Sequence, residues 1–358
     1  HLRHNLQRVR AASGDAKVLA TVKADAYGHG IAQVFNALRG ADGFALLELH
    51  EAQLLRELGW RGPILLIEGV FEARDLELCS RLKLWHTVHC TEQIDMLAAH
   101  KTHEAHRVFL KMNSGMNRLG LHPAAFRAAY ARLAALPQVD EISLMTHLSD
   151  ADGLRLGADG QMQAGVDYQV QAFAQATHDL SGEVSLANSA AILRHPALRA
   201  DWTRAGIALY GSSPDAASHS AADWGLLPAM SLHSRIIAVQ EVQAGDTVGY
   251  GSTFRADTAM RIGIVACGYA DGYPRTAPTG TPVLVDGQHS RTLGRVSMDM
   301  LAVDLSALPA AAYGSAVTLW GQAENGAVIS IDTIAEAGGT LGYELMCGLN
   351  ARVPKVSL

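Results

Sequence analysis

Cysteine is scarce in this chain: four in 358 residues, at Cys79, Cys90, Cys267 and Cys347, with no CxxC pair. That spacing excludes a thiolate zinc site and a disulfide scaffold. It leaves buried, inert thiols in a reducing compartment as the expectation. No apolar run approaches the ~18 residues of a membrane helix, so no membrane partner is expected. Basic blocks and basic–aromatic interleaving are missing and the formal charge is −6, which argues against nucleic acid. Neither GxxxxGK[ST] nor GxGxxG occurs where a strand opens into a helix. The first ten residues, "HLRHNLQRVR", lack the roughly 7–15-residue apolar core of a secretory signal. The expected location is the cytoplasm, although a start at His1 leaves a trimmed leader open.

What is present is globular: 49% hydrophobic and 18% charged residues. The length exceeds the ~250–300 residues at which single cores stop growing, so two domains are expected. Short apolar runs alternate with amphipathic stretches over the first two-thirds. The runs are "VLATVKA", "GFALLEL", "ILLIEG", "WHTVHC", "RVFLKMN", "ISLMTHL", "EVSLANS" and "RAGIALY". Helix-like segments such as "HPAAFRAAYARLAALP" and "DYQVQAFAQATHDL" lie between them. Continuous rather than alternating apolar runs mark buried parallel strands. Eight such units in roughly 210 residues predict an α/β fold, an N-terminal (β/α)8 TIM-type barrel. A doubly wound open sheet fits less well without GxGxxG. After Trp224 the pattern turns to alternation and turn signals, as in "HSRIIAVQEV", "RIGIVACGY", "TPVLVDG" and "AVTLWG". Residues 1–224 are therefore expected to form the barrel and 225–358 a mostly-β domain, with the boundary in "SSPDAASHSAADWG".

In such barrels the chemistry sits where strands end. The first run ends in Lys23, inside "LATVKADAYGHG". A lysine is almost never fully buried unless paired or used. It is a solvated lysine at the barrel mouth, a phosphate binder, or an imine-forming lysine for a carbonyl cofactor. The fifth run ends in "KMNSGMNRLG" with Lys111 and Arg118, the sixth in His147, and the seventh in Asn188 and Ser189. The eighth carries Arg204, Gly206 and Ile207. Ser189 and the backbone near Gly206 suit a phosphate at the loops after strands seven and eight. That favours the imine reading for Lys23 and pyridoxal phosphate as cofactor.

The chain resembles the bacterial alanine racemases, fold-type III pyridoxal-phosphate enzymes, over nearly its whole length. The motifs are "VKADAYGHG", "LKMNSGMNRLG", "THLSDAD", "ANSAA", "RAGIALYG", "VGYGSTF", "GYADGYPR", "GRVSMDM" and "GYELMCGLNARVP". Together and in this order they are specific; any one alone is weak. The family's short strand before "LRHNL" is absent and the chain stops soon after "RVP", which read as trimmed termini. The resemblance implies two-base racemisation of alanine, supplying D-alanine for peptidoglycan or breaking it down. Lys23 would hold the cofactor and handle the D-isomer's proton, and Tyr250 the L-isomer's. A phenol with a pKa of ~10 needs help as a base near neutrality; His147 is the candidate helper, linked to Arg204. Arg204 would face the pyridine nitrogen. Tyr27, Ser189, Gly206, Ile207 and Tyr343 match the phosphate positions, and Arg118 and Met298 the substrate carboxylate. Lys111 matches a lysine often carbamylated, with a plain lysine–acid pair as the alternative. Asp152, Tyr269, Arg275 and Arg295 match an entrance channel for small amino acids. A homodimer with shared sites is implied, Tyr250 serving the partner.

Four other assignments compete or are set aside. A broad-specificity racemase of the same family fits nearly as well. A cofactor-binding protein without turnover would lack the β domain. A fold-type III decarboxylase would carry an acid and a Cys where Arg204 and Met298 stand. No metal is expected: His100, His103 and His106 have no acidic or Cys ligand to complete a site and read as a solvated helix end. His86 and His89 would point to opposite faces of a strand.

Overall fold

The structure, a computed structural model, describes residues 1–101, 104–157 and 160–357. Its contacts divide the chain into two units. One comprises Leu2–Ala26 and Gly30–Leu209; the other comprises Tyr27–His29 and Tyr210–Leu358, with His1.

The first unit is a parallel barrel. Its strands are β1 (Lys17–Thr21), β2 (Gly43–Leu46), β3 (Ile64–Leu66), β4 (Trp85–Val88), β5 (His106–Lys111), β6 (Val139–Met145), β7 (Val184–Ser185) and β8 (Trp202–Ala205). They pair in sequence order, and β8 returns to β1. No regular ladder joins β7 to β8 among the described residues; single bonds span the seam. Asp201 N–H donates to the Val184 carbonyl (3.1 Å), Arg204 N–H to Ala187 (2.9 Å), and Ser185 Oγ to Trp202 (2.8 Å). The runs read as continuous because their residues are buried on both faces. Leu19, Ala45, Leu65, Phe109, Met145 and Trp202 form one buried cluster. Burial of each leucine, phenylalanine and methionine among them contributes about 1.5–3 kcal/mol.

Two features of this unit were not expected. The chain leaves β1 through a left-handed turn: φ is 54° at Ala24, 51° at Asp25, 55° at Ala26 and 52° at Tyr27. Left-handed helical backbone costs L-residues about 1–2 kcal/mol each, so tertiary bonds must hold it. A short antiparallel hairpin, Leu154–Leu156 with Met162–Ala164, follows the sixth strand.

The histidines also need correction. His106 is no solvated helix end. It opens β5, is buried, and bonds His86 Nε2 through Nδ1 and Ser80 Oγ through Nε2, both at 3.3 Å. Burial pushes the His106 imidazole down to about 4 and His86 to about 3. His103 lies outside the described residues. His86 faces His106, whereas His89 is charge-coupled to Lys111 and Glu68.

The second unit contains an antiparallel sheet: β9 (Leu232–Val242), β10 (Met260–Val265), β11 (Pro282–Val285), β12 (Gln288–Leu293), β13 (Leu301–Asp304), β14 (Ala316–Gln322) and β15 (Val328–Ile329). The order is β9-β10-β13-β12-β11-β14-β15. A register shift between Ile236 and Ala238 bends β9, whose first half pairs β14 and second half β10. The sheet thus curls on itself. Val242, Val248, Ala256, Ile262, Leu293 and Ala302 fill one core cluster. The Ser/Ala-rich stretch before it folds around Asp215. That carboxylate accepts Ser213 Oγ (3.1 Å), His219 Nδ1 (2.7 Å) and Trp224 Nε1 (2.7 Å). Two short helices, Ile331–Gly338 and Gly342–Cys347, end the unit. No helix of the described residues is long and apolar enough to cross a membrane.

Candidate active site

In the barrel unit, the expected residues gather at the carboxyl ends of the strands. Lys23 stands two residues beyond β1, at the start of the left-handed turn. Lys111 is the last residue of β5 and is buried. With Arg118 and His147 it lines a small hollow. Burial pushes the Lys111 amine down to about 8, helped by Arg204, Arg118 and Lys23 and opposed by Glu68. Lys111 forms no ion pair among the described residues, so the plain lysine–acid pair is not what stands there. His147 follows β6; burial, then the same arginines and lysines, hold it well below the ordinary imidazole range. It is neutral at pH 7.

Arg204 is buried in β8. Its Nη1 donates to Ser185 Oγ (2.5 Å), its Nη2 to the Thr146 (2.7 Å) and Leu186 (3.2 Å) carbonyls. The expected link to His147 is therefore electrostatic and not a hydrogen bond. Burial pulls Arg204 down to about 10, so it stays charged. Ser189 opens a short helix, Ser189–Arg194, and its Oγ accepts Gly206 N–H (2.9 Å) and Ala208 N–H (3.4 Å). A hydroxyl and amides that converge in this way are the donor set a phosphate needs. Ile207 is buried beside them, and Asp152 is exposed in the turn before the hairpin.

The second unit carries the other residues. Tyr27 is buried and stacks on Tyr210 at 4.7 Å, with the Tyr343 ring 5.9 Å away. Burial, then Tyr343, raises the Tyr27 phenol, so it is a donor and not a base. A Cβ on Gly28 would stand 2.2 Å from the Met346 carbonyl, which fixes the Tyr27 segment beside the Tyr343 helix. Tyr250 is 73% exposed in a one-turn 3-10 helix. A Cβ on Gly251 would lie 3.0 Å from Arg295 Nη1, so Tyr250 and Arg295 are neighbours. Tyr269 N–H donates to Ser297 (3.0 Å) and Ala270 N–H to Met298 (2.9 Å), bringing Tyr269 and Met298 together. Arg275 is exposed in the same loop.

Sequence reasoning missed the residues that brace these groups. Gln169 is buried; its Nε2 donates to the His147 carbonyl (2.9 Å) and Ser114 Oγ (3.2 Å), and its Oε1 accepts Ser149 N–H (2.8 Å). A polar residue on the apolar face of "DYQVQAFAQ" was the one available signal. Arg352 bridges Asp271 and Asp299, both at 2.7 Å, and ties the loop of Tyr269 to the chain's end. Nothing in "GLNARVP" alone announces that role.

A parallel barrel that carries Lys23, the buried Arg204 and the Ser189–Gly206 pair at its strand ends, with a β unit after it in the chain, is the architecture of a barrel enzyme. The chain belongs to the alanine racemase family. The model for "Alanine racemase, N-terminal domain" matches residues 1–214, and that for "Alanine racemase, C-terminal domain" matches 229–357. It is 68% identical over 356 residues to an alanine racemase of Methylibium petroleiphilum, covering 99% of this chain and 95% of that protein. Its identity to one of Acidovorax sp. is 67%, with the same coverage. Among solved structures it is similar to the biosynthetic alanine racemase of Pseudomonas aeruginosa (TM-score 0.91, 47% identity, 99% of this chain and 95% of that one). The alanine racemase of Acinetobacter baumannii is also similar (TM-score 0.89, 37% identity, 98% and 95%).

Proposed function

We propose that this protein interconverts L-alanine and D-alanine with pyridoxal 5′-phosphate, as a cytoplasmic homodimer with shared sites. The observation that carries the reading is the set at the barrel mouth: Lys23, the buried cations Lys111 and Arg204, neutral His147, and Ser189 with the Gly206 amide. When bound, pyridoxal phosphate supplies an electron sink for the pair left at Cα as its proton departs. Ser189 with the Gly206 and Ile207 amides would hold the phosphate from the barrel unit, and the Tyr27 and Tyr343 phenols are the donors the second unit would offer it. Lys23 would hold the cofactor and move the D-isomer's proton at Nζ. Tyr250 Oη moves the L-isomer's proton on the opposite face. His147, being neutral, helps the phenol by hydrogen bonding and not by charge. Arg204 keeps its own proton in any protein setting, so facing the pyridine nitrogen it would leave that nitrogen unprotonated and limit transamination. Arg118 and the Met298 backbone take the substrate carboxylate. Lys111, lowered to about 8 and without an ion-pair partner, is partly neutral near physiological pH. Its free amine can add carbon dioxide, release a proton, and present a carbamate to Arg118. Asp152, Tyr269, Arg275 and Arg295 form the entrance that favours small amino acids. In this reading the cofactor barrel spans 1–224 and the β domain 225–358, whereas the chain's contacts put residues 210–224 with the second unit.

The test is turnover of a panel of L- and D-amino acids, with borohydride trapping and peptide mapping of the loaded protein. Alanine should dominate and the pyridoxyl adduct should map to Lys23. Comparable turnover of several amino acids makes the protein a broad-specificity racemase. Bound cofactor without turnover, release of carbon dioxide, or an adduct on another lysine overturns the proposal.

A further inference from the structure

Lys23 begins a turn of left-handed backbone built from residues that carry side chains, Ala24, Asp25 and Ala26. Such a turn persists only where its surroundings over-determine it. Several bonds do so. Ala26 N–H donates to the Val22 carbonyl (2.8 Å), and Gly30 N–H to the Asp25 carbonyl (2.8 Å). Asp25 Oδ1 accepts Ile31 N–H (2.9 Å). All of these lie within the same short segment. A bond also reaches the turn from elsewhere: Asp25 N–H donates to Glu51 Oε1 at 2.7 Å, across 26 residues of sequence.

Glu51 is suited to this task. It is buried, 5% exposed, in the first turn of the helix Leu49–Glu57 that follows β2. β2 is the immediate neighbour of β1, and Val22 N–H donates to the Ala45 carbonyl at 2.8 Å. The helix that carries Glu51 and the strand that delivers Lys23 are thus fixed to each other. Burial raises the Glu51 carboxyl, and the Asp25 amide, His50 and the Glu48 amide pull it back down. Its second oxygen, Oε2, is buried and makes no hydrogen bond among the described residues. Among the described residues Oε1 is the engaged oxygen, and of the two amides that act on the carboxyl, Asp25 counts for more than Glu48.

We infer that Glu51 is a positioning residue for Lys23: by accepting the Asp25 amide it holds the left-handed turn, and through it the direction in which the lysine leaves the strand. The inference rests on the reading that Lys23 bears the cofactor. Relaxation of the turn would release the backbone that follows Lys23, which the Ala26-to-Val22 and Asp25-to-Glu51 bonds now restrain, and so loosen the setting of the lysine at the strand end. Loss of one hydrogen bond to a buried acceptor shifts a local opening equilibrium by about ten- to a hundredfold.

The experiment compares Glu51→Gln and Glu51→Ala with the unaltered protein, with and without pyridoxal phosphate. Amide exchange of the peptide spanning residues 22–28 reads the turn directly in the cofactor-free protein. Absorbance titration reads cofactor affinity, and borohydride trapping reads occupancy of Lys23. Gln keeps an acceptor for Asp25 N–H and should leave all three within about twofold. Ala should speed exchange of the turn by about ten- to a hundredfold, weaken cofactor binding by about tenfold or more, and lower kcat more than it changes KM. Glycine tolerates left-handed backbone, so adding Ala24→Gly and Ala26→Gly to Glu51→Ala should restore much of the affinity. The same triple variant serves if Glu51→Ala fails to fold. Unchanged exchange in Glu51→Ala overturns the inference. So does faster exchange with undiminished trapping at Lys23, or a triple variant that regains nothing. A wild-type adduct on another lysine defeats the functional reading instead, and the exchange result separates the two failures.

Discussion

A guanidinium as buried as Arg204 ordinarily has an acid beside it, because an unpaired buried charge is expensive. Here its N–H groups meet a hydroxyl and two carbonyls, and no carboxylate among the described residues. The charge is stabilised by dipoles and left available to the site. Arg204→Glu should therefore invert the local chemistry. An acid at that place favours a protonated pyridine nitrogen. We expect racemisation to fall by about tenfold or more and the share of transamination product to rise, measured by separating alanine enantiomers and pyruvate in one assay. An unchanged ratio would mean that Arg204 does not face that nitrogen. At this scale the sequence was informative where a residue sits at a strand end inside a motif, as Lys23, Lys111 and Arg204 do. It was silent where the role depends on a partner far along the chain. Glu51 acts on Asp25 and Gln169 on His147, and neither separation leaves a local pattern. Alanines at 24 and 26 carry no preference for left-handed backbone, so the turn was illegible as well.

Among the elements, the barrel strands were legible because two-sided burial demands unbroken apolar runs. β12, "QHSRTL", was not, since mostly polar residues on it give no alternation to read. Nor was the amino-terminal end of the barrel. There Glu183, just before β7, accepts Lys17 of β1 (2.8 Å), Arg107 of β5 and Trp202 of β8. Arg107 lies 3.9 Å over the Trp85 ring, and Trp85 meets Trp202 edge to face at 5.3 Å. This cluster braces the short β7–β8 seam. Burial alone would raise the Glu183 carboxyl; the bonds from Lys17, Trp202 and Arg107 outweigh it and hold it down to about 2. A carboxyl whose folded pKa lies below its unfolded value of ~4.3 stabilises the fold above that value. The contribution is lost as pH falls through the window from there to about 2. Glu183→Gln should cost about 1–3 kcal/mol at pH 7. It should also flatten the fall in stability across that window, measured by urea unfolding at stepped pH. An unaltered acid profile would show that Glu183 does not close the barrel.

At the scale of the whole molecule, the question is which chain Tyr250 serves. It is 73% exposed in the single chain, in a loop of the β unit shared with Arg295. The motif "VGYG" made it visible in sequence only through the family likeness, because a lone strand-end tyrosine has no signature of its own. If sites are shared, Lys23 of one chain works with Tyr250 of the other. Lys23→Ala and Tyr250→Ala chains are then each inactive as homodimers. In a mixed dimer one site collects both lesions and the other is intact. Random mixing makes about half the dimers mixed, each with one of two sites working, so activity should recover to roughly a quarter of wild type. Racemisation needs a base on each face, so neither parent can imitate this recovery. The measurement is D-alanine formation after co-refolding differently tagged variants, with mixed dimers isolated through both tags. Isolated mixed dimers at about half the wild-type rate support the shared site. Isolated mixed dimers without activity would place Tyr250 in its own chain's site, and the β unit would then have to deliver the phenol to the barrel that precedes it in sequence.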